Sequence, residues 1–433
     1  MGFDERSGAL ESDARYLIRI PSDWNGVLLN DLDYADLNRE KPSRAFLLQR
    51  GYGLSGTSRL QSRGRENIDN QLATLEAVTR EFSEPRITVQ IGCSGGGATA
   101  LWMAERHADR IHGAIAQCGT SPAMHRHLWT DLLFVSRALL APDTEAVVLG
   151  RYEPEGLPDL ESVDLPVWRT ILETAQATPL GRARIGLVTA LSQLPTWGAG
   201  LQLPMFGAGF GAHSRSEPPD PADLDAVQAS MAETLTAAIS CAVAVAHIAS
   251  AGHYSNVDVD FLAWYDNADV GQRRVVEELY AGLDTYCAGI LRDDLARLQA
   301  TPRLHRREPG LDAYWVTASA GTPGVPLLHV TTMDATTPPV LTGGYERLVR
   351  QNGLQDRYRS AYVLRASHCG FSVSETAALV DTLVDRVDSG TWPDASATEL
   401  NTRAAAYGTD ESRFIDHKPP VQNRELSYDS SAQ

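Results

Sequence analysis

The segment from Arg86 to Ala98 constrains this chain more than any other. A β-branched stretch with Ile87, Val89 and Ile91 ends abruptly in Gly92-Cys93-Ser94-Gly95-Gly96-Gly97. An Ala/Leu/Met pattern of helical spacing follows at once. This reads as strand, sharp turn, helix, with a serine at the tip. Such a turn forces the tip residue into a strained conformation and needs small neighbours, which Gly92, Gly95 and Gly96 are expected to supply. The strain lifts a hydroxyl clear of the sheet. Glycine-rich turns after strands also cradle phosphates, but neither G-x-x-x-x-G-K-[ST] nor G-x-G-x-x-G is present here. Cys93 as nucleophile would put Ile91 where a small residue is needed, so Cys93 is expected to be a packed strand-end thiol.

A serine nucleophile needs a base, and the base needs an acid to hold its tautomer. Near the C-terminus, Val325 to Thr332 reads as a buried strand with Met333-Asp334 directly after it. A helix-like segment from Leu341 to Gln351 follows, then a strand from Tyr358 to Ala366 ending in Ser367-His368-Cys369-Gly370. A helix from Ser374 to Asp388 closes the unit. The order strand, Asp334, helix, strand, His368, helix is more specific than either residue alone, and Ser94, Asp334 and His368 are the expected catalytic set. An aspartate after a strand can instead be a helix cap or turn former. His329, His107 and His112 read as structural histidines.

With these parts in order the chain resembles the α/β-hydrolase superfamily, in the esterase and lipase neighbourhood of tannase-like, feruloyl-esterase-like and polyester-depolymerase-like enzymes. The residues that carry the resemblance are Trp24-Asn25-Gly26, the helix Ser43 to Gln49, and the stretch Gly51 to Ser58. To these are added the serine turn, the strand Ile111 to Cys118, the Asp334 and His368 loops, and the tail Phe414 to Pro420. They cover the first 120 and last 110 or so residues. The resemblance implies a mostly parallel, doubly wound α/β sheet and two-step acyl transfer through an acyl-enzyme.

One departure bears on the oxyanion hole. Where many such hydrolases carry His-Gly after the third strand, this chain reads Val27 to Asp36 without that pair. The N–H of Gly95, heading the helix, is the expected first donor. The second is expected within Asp31–Tyr34, with Leu32, Asp33 and Tyr34 as the candidates. Acidic side chains there would oppose an oxyanion unless they point away. Asp31 and Asp33 are therefore expected to orient a polar or cationic substrate group or to cap the next segment.

The remaining strand rhythm, Arg15–Ile20, Gly26–Asn30 and Tyr52–Thr57, is followed by a helix Asn67–Phe82 and agrees with a parallel sheet. From about Ser121 to Leu304 it disappears and several helices are expected. The domain reading is thus a hydrolase core of residues 1–120 and 305–433, with a helical cap of 121–304 inserted after the strand that follows the nucleophile helix. In the cap, the glycine-rich but aromatic stretch Trp197 to Ala212 reads either as an apolar pocket rim or as a buried connector. Trp129, Trp264 and Tyr265 carry the same two readings.

Composition sets the class of partner. With 43% hydrophobic and 21% charged residues the chain reads as globular. A net charge of −17 argues against nucleic acid or an anionic membrane. Five cysteines at irregular spacing form no metal motif and no evident disulfide framework, leaving at least one free thiol. Asp258 and Asp260 near His253 are common polar-loop residues, so no metal and no cofactor is expected. The apolar stretch Leu235 to Ala251 falls short of a membrane span. Met1 to Arg6 has no apolar signal core, so the cytoplasm is the expected compartment.

The expected substrate is a small ester or lactone with an apolar or aromatic part, and a homodimer is left open. An acyltransferase or cyclase would use the same three residues, and a non-catalytic ligand-binding relative is the non-enzyme alternative.

Overall fold

The computed structural model describes residues 2–60, 64–142, 164–202, 212–249, 254–283, 290–306, 314 and 317–424. Val27–Asp31 (β3), Ile87–Cys93 (β5), Gly113–Gln117 (β6) and Leu327–Met333 (β9) are short, β-branched or small-residue runs buried along nearly their whole length. That is the pattern of parallel strands covered on both faces. With Phe3–Ala9 (β1), Arg15–Pro21 (β2), Gly53–Thr57 (β4), Tyr358–Ala366 (β10) and Phe414–Ile415 (β11) they form a nine-stranded sheet in the order β1-β2-β4-β3-β5-β6-β9-β10-β11. The six strands from β4 to β10 run parallel, β2 is antiparallel to β4, and β1 and β11 close the two edges antiparallel. The β1 edge was not expected from sequence, because its residues are exposed and carry no alternation.

Two layers of helix cover the sheet. On one face lie Pro42–Gln49 (α1) and the C-terminal helices Val373–Ser389 and Ala397–Ala405, packed on Leu29, Val89, Ile91, Ile115 and Val330. On the other lie Gly64–Glu81 (α2), Gly95–Arg106 (α3) and Pro339–Gln351, packed on Ile18, Leu28, Ala114 and Ala116. Neighbours Leu28 and Leu29 thus serve opposite cores, as the two-residue period of a strand requires.

Between β6 and β9 the chain leaves the sheet. Pro122–Leu140 (α4), Asp164–Gln176 (α5), Pro179–Leu191 (α6), Leu224–Ala249 (α7) and Phe261–Asp266 (α8) are followed by Val270–Ala281 (α9) and Ile290–Ala300 (α10). Together they build a helical layer with its own core, which includes Phe134, Trp168, Leu235, Phe261 and Leu298. Where one helix was expected over Val270–Gln299, two are described. A small ribbon, Tyr254–Ser255 with His305–Arg306, closes the layer at its end. By length and apolarity α7 could cross a membrane, but 78% of its most apolar window is buried among the other helices. Its apolarity is that of a central core helix.

Candidate active site

Strand β5 runs straight into α3 with Ser94 between them. Ser94 has φ 59 and ψ −121, outside the usual regions for an L residue. Its N–H donates to the Gln117 carbonyl at 3.0 Å, which pins the bend to the next strand. Ser94 occupies the N-cap position of α3, where serine normally bonds the helix start, yet its hydroxyl makes no cap bond. The hydroxyl is left for other chemistry.

The glycines around it differ in how much the turn depends on them, and not quite as expected. A Cβ on Gly92 would lie 2.6 Å from the Gly96 carbonyl carbon, so the strand and helix can approach only through glycine. Gly96 itself is not demanding: a Cβ there would meet the Leu32 carbonyl oxygen at an ordinary 3.5 Å. Gly97 is the tight one, with the Gln117 carbonyl oxygen at 2.5 Å from any Cβ. On Gly95 a Cβ would collide with the side chain of Arg59.

The structure brings His368 and Asp334 together. His368 follows β10, Asp334 follows β9, and the histidine Nδ1 lies 2.6 Å from Asp334 Oδ2. Both side chains are almost wholly excluded from water, at 2% and 0% exposure. Asp334 Oδ1 also accepts the Thr336 N–H at 2.7 Å, so its carboxylate is held from two sides. Residues 197–199 of the helical insertion run alongside: Ala199 pairs with Asp334, and the Ala335 N–H donates to the Ala199 carbonyl. His368 Nε2 is buried and has no partner among the described residues.

A disulfide joins Cys93 to Cys369, across 276 residues, with Cα atoms 5.9 Å apart. Cys93 is therefore not a packed free thiol, and the cysteines do include a disulfide. Each half-cystine adjoins a candidate site residue, one before Ser94 and one after His368, so the covalent link sets the Ser94 turn beside the His368 loop. Irregular spacing hid it because a bridge between two strand ends depends on sheet order, which sequence intervals do not carry. Cys118 and Cys241 are free and buried, and Cys287 lies outside the described residues.

Asp31 and Asp33, expected to orient a polar or cationic substrate group or to cap the next segment, hold cations of the protein instead. Asp31 is buried with Arg44, whose Nε and Nη2 lie 2.9 and 2.7 Å from Oδ2, and Asn38 donates to the same oxygen. Burial pushes the Asp31 carboxyl up from its ordinary value, and Arg44 opposes this. Asp33 sits at φ 84 and takes Arg59 in a fork, Nε at 3.0 Å and Nη2 at 2.5 Å. Its N–H donates to the Thr57 carbonyl at 2.8 Å. A turn of π-helix, Tyr34–Asn38, follows, with Tyr34 fully buried. Arg59 carried no signal in sequence, since a lone arginine after a strand is usually solvated.

Over the Asp334 loop lies α4. His125 stacks on Trp129 with ring centroids 4.6 Å apart and bonds Thr337, while the Trp129 indole donates to the Thr336 carbonyl. Burial, with His368 nearby, lowers His125 to about 3, so it stays neutral. His329 is likewise neutral, lowered by burial to about 4 and bonded to Gly119 and Tyr358. Trp197 is buried against Met333 and Tyr362, as a connector would be. Met205, Phe206, Phe210 and His253 lie outside the described residues. Trp264 and Tyr265 belong to the core of the helical layer, and Asp260 caps α8.

Among the described residues, the cluster nearest to a metal set is Cys118, Asp334 and His368. Burial pushes the Cys118 thiol up to about 12, and a neutral thiol is a poor ligand.

The strand order, the antiparallel second strand and a serine at positive φ between β5 and the following helix agree with the fold that the sequence resemblance implied. This architecture is that of the α/β-hydrolase fold. No family model matches it. It is similar to an o-phthalyl amidase of Xanthobacter agilis, with 29% identity over 96% of this chain and 94% of that protein. Among solved structures it is similar to feruloyl esterase B from Aspergillus oryzae, with a TM-score of 0.42, 14% identity, and 90% and 81% of the two chains covered. A second esterase from Aspergillus oryzae matches with a TM-score of 0.41, 12% identity, and 90% and 80% covered. In the α/β-hydrolase fold the loops at the C-terminal ends of β3, β5, β9 and β10 converge, and those loops carry Leu32 to Tyr34, Ser94, Asp334 and His368.

Proposed function

We propose that this chain is a serine hydrolase that cleaves a carboxylic amide or ester of a small aromatic acid through an acyl-enzyme. The reading is carried by one observation. A strained serine with an uncapped hydroxyl is tied by disulfide to the loop of a histidine whose Nδ1 is held by a buried carboxylate and whose Nε2 has no partner among the described residues.

In the proposed reaction His368 Nε2 takes the Ser94 proton as Oγ attacks the carbonyl carbon. Asp334 holds Nδ1–H and stabilises the imidazolium. The Gly95 N–H, at the positive end of α3, stabilises the oxyanion. Leu32 is the proposed second donor, because the Asp33 N–H is engaged by Thr57 and the Leu32 backbone lies over Gly96. Tyr34, sealed under the same turn, is assigned to shaping it. The His368 proton then passes to the departing amine or alcohol, and water cleaves the acyl-enzyme to the free acid. The amide arm rests on the o-phthalyl amidase relative, which matches nearly end to end. The helical insertion, through α4 and residues 197–199, is proposed to roof the acyl pocket.

An anilide and a phenyl ester of the same aromatic acid test this reading. A shared acyl-enzyme predicts that added hydroxylamine diverts both substrates to one hydroxamate in the same proportion. Different partition ratios would mean that no common acyl intermediate forms.

A further inference from the structure

We propose that Arg59 selects substrates bearing a carboxylate close to the scissile carbonyl, on the acyl side. This rests on the hydrolase reading and adds the substrate class to it.

Arg59 follows β4 by two residues and is anchored by its neighbour. The Ser58 N–H donates to the Arg15 carbonyl, and the Arg15 N–H donates to Ser58 Oγ. From that anchor the side chain crosses to the oxyanion turn, where Asp33 engages Nε and Nη2. The fork occupies one edge of a planar guanidinium. The opposite edge, with Nη1, lies over Gly95, 2.2 Å from where a Cβ on that residue would stand. Among the described residues Nη1 has no acceptor, and the side chain keeps 27% of its surface exposed.

A guanidinium has five N–H donors and can bind two carboxylates on two edges. One edge is filled by the protein and the other faces the residue after the nucleophile. Two facts separate this arrangement from an ordinary salt bridge. Arg44 and Asp31, one turn away, form a pair sealed at 3% and 1% exposure, which already braces the oxyanion turn. Asp33 is a positive-φ residue that aims its carboxylate at Arg59, so Asp33 orients the cation. Because the Gly95 N–H is the proposed oxyanion donor, a group reaching Nη1 must lie only a few bonds from the reacting carbon. A 1,2-dicarboxylic acid half-amide or half-ester has that spacing; a long-chain or neutral ester offers Nη1 nothing.

The test uses the full-length protein with two probes, phthalate as a 1,2-dicarboxylate and benzamide as its neutral counterpart. Binding is measured by calorimetry to wild type, Arg59→Gln and Asp33→Asn. Wild type should prefer phthalate, Arg59→Gln should lose about tenfold or more of that preference, and Asp33→Asn, which keeps the guanidinium but weakens the fork that aims it, should lose less. With turnover, the ratio of kcat/KM for a phthalic half-anilide over its methyl ester should fall in the same order. Arg59→Gln retaining the preference, or wild type showing none, overturns the proposal. So does an equal fall for both probes in the two variants, the signature of a brace alone. A protein that binds phthalate through Arg59 but forms no acyl-enzyme would leave this inference standing and remove the hydrolase reading.

Discussion

Cys93 and Cys369 are bonded to one another, and each stands next in the chain to a proposed member of the catalytic set, Ser94 and His368. The link closes a loop of 276 residues between the ends of β5 and β10, which are not neighbours in the sheet. Hydrogen bonding between adjacent strands does not connect these two loops; the covalent bond does.

Opening that bond should therefore affect turnover as well as stability. In a dithiothreitol titration with thiol counting by mass, activity is expected to fall in parallel with loss of the Cys93–Cys369 bridge. Cys93→Ala with Cys369→Ala should lose about 2–4 kcal/mol of stability in a denaturant melt. Full activity in the reduced protein would assign the bridge to folding alone. Such bonds persist in oxidising surroundings, so reducing capacity around the protein should control its specific activity.

Asp334→Asn keeps the shape of the side chain but removes the charge and lets an amide face Nδ1. On the proposed mechanism kcat should fall by roughly 10³–10⁴, with the melting temperature changed little. A fall below tenfold would assign Asp334 to turn formation, the other role a post-strand aspartate can take.

The Asp31–Arg44 pair is almost completely buried, so removing one partner leaves an uncompensated charge. Arg44→Met should cost about 3–5 kcal/mol of stability. Asp31→Leu with Arg44→Met should recover most of it, because no buried charge remains. A denaturant series across the single and double variants decides this, and no recovery would show that the pair holds the turn by geometry.

His329 and His125 are neutral in the folded protein, lowered by burial to about 4 and about 3 from an ordinary value of 6.5. The unfolded chain binds protons that the folded chain refuses, so their contribution is whole above pH 6.5 and is lost as pH falls toward 4. Each group accounts for a slope of about 1.4 kcal/mol per pH unit within that window. His329→Gln should lower stability at pH 7 yet flatten its decline between pH 6.5 and 4 by one proton's worth. An unchanged slope in urea melts across that range would contradict the assignment.

What sequence revealed and what it hid divide along a physical line. The serine turn, the Asp334 and His368 loops and the strand Tyr358–Ala366 were legible because each is a local pattern, an apolar run ended by a turn residue. The Cys93–Cys369 bridge and the Asp33–Arg59 fork were not, because both join residues that only the crossing order of the sheet makes neighbours. The glycines show the same line at finer scale. A glycine-rich turn could be read from the letters, but that Gly97 rather than Gly96 is needed depends on the Gln117 carbonyl of the next strand.

The central claim is that Ser94 is the nucleophile. Intact-mass analysis after treatment with a fluorophosphonate tests it most directly. One adduct on wild type, mapped to the peptide containing Ser94, and none on a folded Ser94→Ala protein is the predicted result. Labelling of Ser94→Ala to the same extent, or no labelling of folded wild type, would contradict it.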